Sequence, residues 1–489
     1  MLKSIFPLSV ATFLCRISGF IRDFLLYSTF GASGILDIFL IAFRLPNLTR
    51  RFFAEGSFNQ ALLPELANLE ESNKKEDFKK LYHQGFLFLT LAMGFFTLSA
   101  VLAPSLWIGV LAPGEHIARN TLLDVVRWTA PYALFVSLVS FYALMMQLKN
   151  KYLLNGFSPI LVNIGIILAL YIAADDESRV VLLGKSVFFA GLTQLILQYL
   201  AGRKDAPIFF TELRFSKKFW PIIKNFIKLS IIGLLIQGNM IIDQLFLSFL
   251  YPGAISEYYL CERIVELPIG VIVYSLSVVF ATFYSKNYLQ KIKKIQLENK
   301  ALLLIYYLVI PSVIGCFFMA PNLIDLFLND PLSIERTASL LKVFSLCIMP
   351  IALNKIYVII CTVSGRQNTI IKVHLIGSIL NIIADYSFYR FGTIGIAAST
   401  FLTLILQLYL FSRVIKITHR MIKLPKTIFI PGAIGFFIIF ALSMIFNYIG
   451  FFSESKFYYF FILISIVGLI ASTYVAVVFK TIKYLASRV

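Results

Sequence analysis

Six arginines, Arg16, Arg22, Arg44, Arg50, Arg51 and Arg263, stand in stretches that are otherwise apolar enough to lie in a bilayer. A charged side chain at the bilayer centre costs about 2.5 to 3.5 kcal/mol on insertion scales, so such residues face a protein interior or a water-filled cavity. Guanidinium stays protonated and offers a rigid fork of N–H donors that matches phosphate oxygens. The acids nearby in sequence are fewer: Asp23, Asp37 and Glu55. The spacing is helical. Ser9, Thr12, Arg16, Gly19 and Asp23 step by three or four residues and form one polar stripe, with Arg22 beside it. Arg44, Asn47, Arg51 and Glu55 repeat the pattern with Arg50 adjacent, and Pro46 removes one helical hydrogen bond, which favours a bend. Further along, "ERIVELPIG" groups Glu262, Arg263, Glu266 and Pro268. Two readings stay open for each arginine: a buried ion pair or snorkelling end that only holds helices, or part of an anion site. The excess of arginine over acid points the set toward a phosphate-bearing ligand rather than a neutral drug.

A second constellation consists of Asp243, Asn381, Asp385 and Thr400, with Asn381 and Asp385 four apart on one helical face. Carboxylate, amide and hydroxyl oxygens suit a hard cation such as sodium. The alternative is a protonated pair, because a carboxyl in low dielectric can remain neutral; Lys355 could also reach it. Catalytic chemistry is harder to find. His83, His116, His374 and His419 lack metal-ligand spacing, and the chain has no P-loop, GxSxG or glycine-rich nucleotide motif. No cofactor is required, and the energy for transport would come from an ion gradient or the membrane potential.

The elements that position these groups follow from composition. The chain has 489 residues, 59% hydrophobic and 14% charged, with a mean hydropathy of +0.84. These values describe an all-α polytopic membrane protein, with about fourteen windows long enough to cross a bilayer as helices. No cleavable signal peptide is expected, since the first apolar stretch carries Arg16 and Arg22 and lacks a small-residue cleavage site. Cys15, Cys261, Cys316, Cys347 and Cys361 each fall in an expected span without CxxC spacing, as small buried residues do. The net charge of +19 is no nucleic-acid signature, because the basic residues alternate by side. Lys74, Lys75, Lys149, Lys151, Arg203, Lys217, Lys293 and Lys416 fall with both termini on one face, while "APGEHIARN", "ADDESRV" and "LNDPLSIER" on the other are balanced or acidic. Both termini are therefore expected in the cytoplasm.

The chain also repeats itself. "PLSVATFLCRISGFIRDFLLYSTFGASGILDIFLIAFRLP" and "KLSIIGLLIQGNMIIDQLFLSFLYPGAISEYYLCERIVELP" pair Ser9 with Ser230, Asp23 with Asp243, Gly34 with Gly253 and Arg44 with Arg263, and Asn163 later pairs with Asn381. A duplication of about 219 residues with six spans per copy gives two lobes related as parallel repeats, with a cavity between such halves as the usual substrate location. The expected domains are an N-terminal lobe, 1–205, with spans one to six, and a C-terminal lobe, 206–415, with spans seven to twelve. An interfacial segment, "SRVIKITHRMIKLPK" (Ser412–Lys426), leads into the remainder, 416–489, which holds two unduplicated spans.

The stretches "RISGFIRDFLLYSTFGAS", "LDIFLIAFRLPNLTRRFFAEGSFNQALLPEL" and "YYLCERIVELPIGV" resemble the MurJ (MviN) lipid II flippases of bacterial cell-wall synthesis, in the multidrug/oligosaccharidyl-lipid/polysaccharide exporter superfamily. The pattern "RRxFAEGxFxxAxxP" is the most specific part. The resemblance implies a two-lobed, fourteen-helix transporter in the bacterial cytoplasmic membrane. It would move undecaprenyl-diphosphate-linked disaccharide pentapeptide between leaflets by alternating access, with lipid II, membrane lipids and cell-wall synthesis proteins as partners. It also implies that Arg16, Arg22, Arg50 or Arg51, and Arg263 are cavity arginines with Asp23, Asp37 and Glu55 as acidic neighbours. The last two helices would form a groove for the polyprenyl tail, and Asp243, Asn381, Asp385 and Thr400 look like the sodium ligands of some family members. Competing expectations are an exporter of another polyprenyl-linked glycan or of drugs, and a membrane glycosyltransferase. Drug export would favour cavity acids, and a glycosyltransferase would need a large extracytoplasmic loop that the connections of about ten residues do not supply.

Overall fold

The computed structural model describes residues 2–50, 57–114, 118–149, 151, 153–172, 175–203 and 215–415, and among these every regular element is helical. In chain order they are α1 (Leu2–Phe30), α2 (Gly34–Thr49), α3 (Ser57–Glu71), α4 (Lys75–Leu102), α5 (Pro104–Leu111), α6 (Arg119–Thr129), α7 (Pro131–Leu148), α8 (Leu153–Phe157) and α9 (Ile160–Ile172). There follow α10 (Asp176–Gly202), α11 (Trp220–Leu247), α12 (Ala254–Pro268), α13 (Tyr274–Lys286), α14 (Lys291–Phe318), α15 (Ala320–Asp325), α16 (Pro331–Val363), α17 (Gln367–Phe388) and α18 (Gly392–Ile415). Arg51, Glu55 and the whole of 416–489, including the two expected final spans, lie outside the described residues.

Nine stretches among the described residues are long and apolar enough to cross a membrane, from Lys75–Leu102 to Gln367–Val414, which joins α17 and α18. They match the third to twelfth spans expected from sequence. A 28-residue helix such as α4 is about 42 Å long, more than the hydrocarbon core of about 30 Å. The succession of elements recurs at about the offset read from the sequence: α1 is answered by α11, α4 and α5 by α14 and α15, and α9 and α10 by α17 and α18.

Local chemistry sets the boundaries. Ser33, Asp175 and Asp330 cap α2, α10 and α16, each side chain accepting a backbone N–H three residues on. Proline opens α5, α7, α11, α15 and α16 in the first turn, where its missing N–H costs nothing. Inside α2, Pro46 leaves the Ala42 carbonyl without its helical donor. The buried Thr129 hydroxyl of α6 replaces that donor at 3.1 Å. Pro268 likewise ends α12, and the chain continues through a π turn, Ile269–Val273, into α13.

The chain divides into two compact units, Met1–Ser256 and Glu257–Val489. In the first, Phe58, Leu62, Met93, Phe141, Phe219 and Phe226 form one buried cluster that joins α3, α4, α7 and α11. Backbones close tightly in this unit at two glycines. A Cβ on Gly114 would lie 1.6 Å from the Ser248 carbonyl oxygen. At Gly253, φ is +97° and a Cβ would meet the Ala32 oxygen at 2.5 Å, so only glycine fits. In the second unit α16 packs on α14 and α18, and the Tyr258 ring meets Phe344 edge-on at 4.6 Å.

Candidate functional site

The polar stripe of α1 faces two different surroundings. Arg22 and Asp23 are 7% and 6% exposed, and the Arg22 guanidinium donates to Asp23 Oδ1 at 2.5 and 2.9 Å. A third donor reaches Asn163 Oδ1 on α9 at 3.0 Å, and the guanidinium lies 5.7 Å from the Phe43 ring centre. Asn163 in turn donates to Ser18 Oγ at 2.8 Å. Charge and donors are thus matched, as burial in a low-dielectric interior requires. Arg16, two turns earlier on α1, is exposed.

The α2 residues have equally specific placements. Arg44 donates to Gln244 Oε1 at 2.7 Å and to the Met240 carbonyl at 3.3 Å, which fastens α2 to α11. Asp37 is 2% exposed and engages both its oxygens: Oδ2 accepts from Gly253 N–H at 2.7 Å, and Oδ1 accepts from the N–H and hydroxyl of Ser256 at 2.7 and 2.8 Å. A carboxylate there caps the N-terminal turn of α12 and meets the positive end of its dipole. Arg50 ends α2 half-buried, its N–H bonded to the Asn47 and Pro46 carbonyls.

In the second unit Arg263 is held without being enclosed. Nε donates to the Tyr259 hydroxyl and Nη1 to Glu266, both at 2.7 Å, and the guanidinium sits 4.7 Å over the Tyr259 ring. Its side chain nonetheless keeps 34% of its surface open. The neighbouring Glu257, fully buried, accepts from Arg336 Nε at 2.7 Å, a pairing the sequence reading did not single out.

The oxygen-rich cluster of the second unit is partly assembled. Asn381 donates to Asp385 Oδ2 at 2.9 Å, both are 0% exposed, and Ser399 of α18 hydrogen-bonds Asp385 Oδ1. Ser399 was missed in the sequence, where Thr400 stood out instead; Thr400 Oγ1 lies 3.3 Å from the Tyr258 hydroxyl and donates to the Ile396 carbonyl at 3.2 Å. Asp243 is buried on α11, in the first unit. Among the described residues no three of His, Cys, Asp or Glu are grouped as metal ligands, so a cation here would rely on neutral oxygens beside a single carboxylate, a set suited to a monovalent ion.

Comparison with known proteins places this architecture. The family described as lipid II flippase MurJ matches residues 26–475. A probable lipid II flippase MurJ of Buchnera aphidicola subsp. Acyrthosiphon pisum is 31% identical over 458 residues, covering 88% of this chain and 86% of the relative. Its counterpart in Vibrio cholerae is 26% identical over 437 residues, covering 84% and 82%. Among solved structures, a lipid II flippase MurJ in an inward closed conformation aligns with a TM-score of 0.77 at 22% identity, over 97% of this chain and 99% of that one. An inward-facing multidrug transporter of the MATE family in the MOP superfamily aligns with a TM-score of 0.67 at 13% identity, over 84% and 96%. The fold is thus shared with that transporter, and the chain itself belongs to the MurJ family of lipid II flippases, which are transporters rather than enzymes.

Proposed function

We propose that this chain flips lipid II from the cytoplasmic to the outer leaflet of a bacterial cytoplasmic membrane by alternating access, with both termini in the cytoplasm. Arg16 and Arg263 donate to the diphosphate, and Arg22 shapes the face on which Arg16 stands. The observation that carries this reading is the contrast between the arginines: Arg22 is enclosed with its acid, whereas Arg16 is exposed and Arg263 keeps a third of its side chain open. Arg263, although paired with Glu266, is not enclosed by it, and a diphosphate matches the donor fork of a guanidinium that stays accessible. Residues 416–489 take the polyprenyl tail, and Asp385 with Asn381 and Thr400 takes sodium as the coupling ion. The test is a bacterium depleted of its own flippase. Expression of this chain restores growth and the appearance of lipid II on the outer face; restored growth without outward lipid II, or neither, contradicts the proposal.

A further inference from the structure

The second half of the first unit contains a lysine whose surroundings serve no purpose in the transport reading. Helices α9 and α10 are joined by a short connection and approach closely, since a Cβ on Gly165 would meet the Ala190 Cβ at 3.0 Å. Small residues at that contact allow the backbones to come together. Beside it runs a groove of about 350 Å³, lined by Leu161, Leu168, Ile172, Phe189, Thr193 and, on the α10 wall, Lys185. Leu168, Ile172 and Phe189 are 57%, 74% and 58% exposed, so the groove opens along an apolar face of the kind that lipid covers.

Lys185 Nζ sits 5.5 Å over the Trp128 ring, and among the described residues no carboxylate lies within ion-pair distance of it. The acids at the start of α10 are engaged elsewhere: Asp175 accepts from Ser178, Asp176 pairs with Arg179, and Glu177 accepts from Thr121. A lysine nine residues into a membrane helix is about 14 Å from its first residue. A helical side chain leans toward the N-terminal end of its helix, and a lysine can snorkel that way to meet a headgroup phosphate. The cation stands without a carboxylate partner on the α10 wall of the groove, which runs from Leu182 on one side of it to Thr193, two further turns down the same helix.

We propose that this groove is a binding site for an anionic phospholipid, phosphatidylglycerol in type, with one acyl chain between α9 and α10 and its phosphate on Lys185. A zwitterionic lipid brings its own cation and leaves the lysine uncompensated, whereas an anionic headgroup neutralises it. The Trp128 ring fixes the ammonium at the lip through its π face.

Native mass spectrometry of the full chain in detergent, titrated with phosphatidylglycerol or with phosphatidylcholine of the same chains, tests the site. The wild type binds phosphatidylglycerol in preference to phosphatidylcholine. Lys185→Gln weakens it about fivefold, the change expected for one interfacial lysine. Lys185→Arg retains binding, and Leu168→Trp, which fills the exposed channel without entering the helix contact, abolishes it. Equal affinity for phosphatidylcholine or full retention in Lys185→Gln overturns the assignment. None of these outcomes bears on whether the chain flips lipid II.

Discussion

Arg22 donates to Asp23 Oδ1 at 2.5 Å with both side chains only 9% exposed. The guanidinium that a sequence reader groups with Arg16 is therefore a structural cation first. Removing one partner of a buried pair costs about 3 to 5 kcal/mol, because the other charge is left uncompensated. Arg22→Ala is expected to lose that much stability, and replacing both residues by apolar ones recovers most of it. Arg16→Ala, which removes an exposed side chain, leaves the melting temperature within about a degree or two of wild type. Thermal unfolding in one detergent, read as a double-mutant cycle for Arg22 and Asp23, checks all three.

The Thr129 hydroxyl supplies a donor that Pro46 withholds from the Ala42 carbonyl. Thr129→Val keeps the shape and deletes the donor, so a buried carbonyl loses its partner. The expected loss is about 1 to 3 kcal/mol. Adding Pro46→Ala restores the helical N–H and should recover part of it; an unchanged Thr129→Val protein would show that the hydroxyl bond is dispensable.

Asp385 sits fully buried with Asn381 and Ser399 on its oxygens. If sodium binds there, the wild type melts higher in sodium than in choline at equal ionic strength, since a ligand that binds only the folded state stabilises it. Asp385→Ala abolishes the increment whatever it does to the baseline, and Ser399→Ala reduces it. Equal wild-type melting in the two salts removes the coupling-ion proposal.

Two helix caps outside the spans set a pH dependence. The Ser178 hydroxyl and N–H bonded to Asp175, and the Ser333 pair bonded to Asp330, hold both carboxyls below the usual carboxylate range. A group depressed in the folded state contributes stability that is fully present above its unfolded value, near pH 4, and is lost as pH falls through the folded value. Asp175→Ala and Asp330→Ala should each lower stability at pH 7, with the difference from wild type shrinking as pH falls below the unfolded carboxyl value. Hydrogen exchange in the first turns of α10 and α16 reads the effect locally.

The helical periods around Arg16, Arg44 and Arg263 and the long apolar windows carried the helices and membrane spans in local sequence. What periodicity could not rank was which arginine is enclosed. That depends on Asn163, 141 residues from Arg22, arriving on α9. The repeated asparagine was visible, yet its two roles are not alike: Asn163 accepts from an arginine, and Asn381 donates to an aspartate. Asp37 resembled an acidic neighbour of arginines, and its carboxylate also caps the start of α12, because a tight glycine turn brings Ser256 back to α2. Ser399, fully buried beside the expected Thr400, faces Asp385 through the rotation of α18, which a one-residue step in sequence leaves ambiguous.

The central claim is that open guanidiniums take the diphosphate of the cargo. Binding of lipid II to purified Arg16→Ala, Arg263→Ala and wild-type protein, measured at matched folding, tests it most directly. Each variant is predicted to bind at least about tenfold more weakly, the loss of about one charge-assisted hydrogen bond, while Arg263→Lys recovers only part of that affinity. Wild-type affinity in both alanine variants would contradict the account.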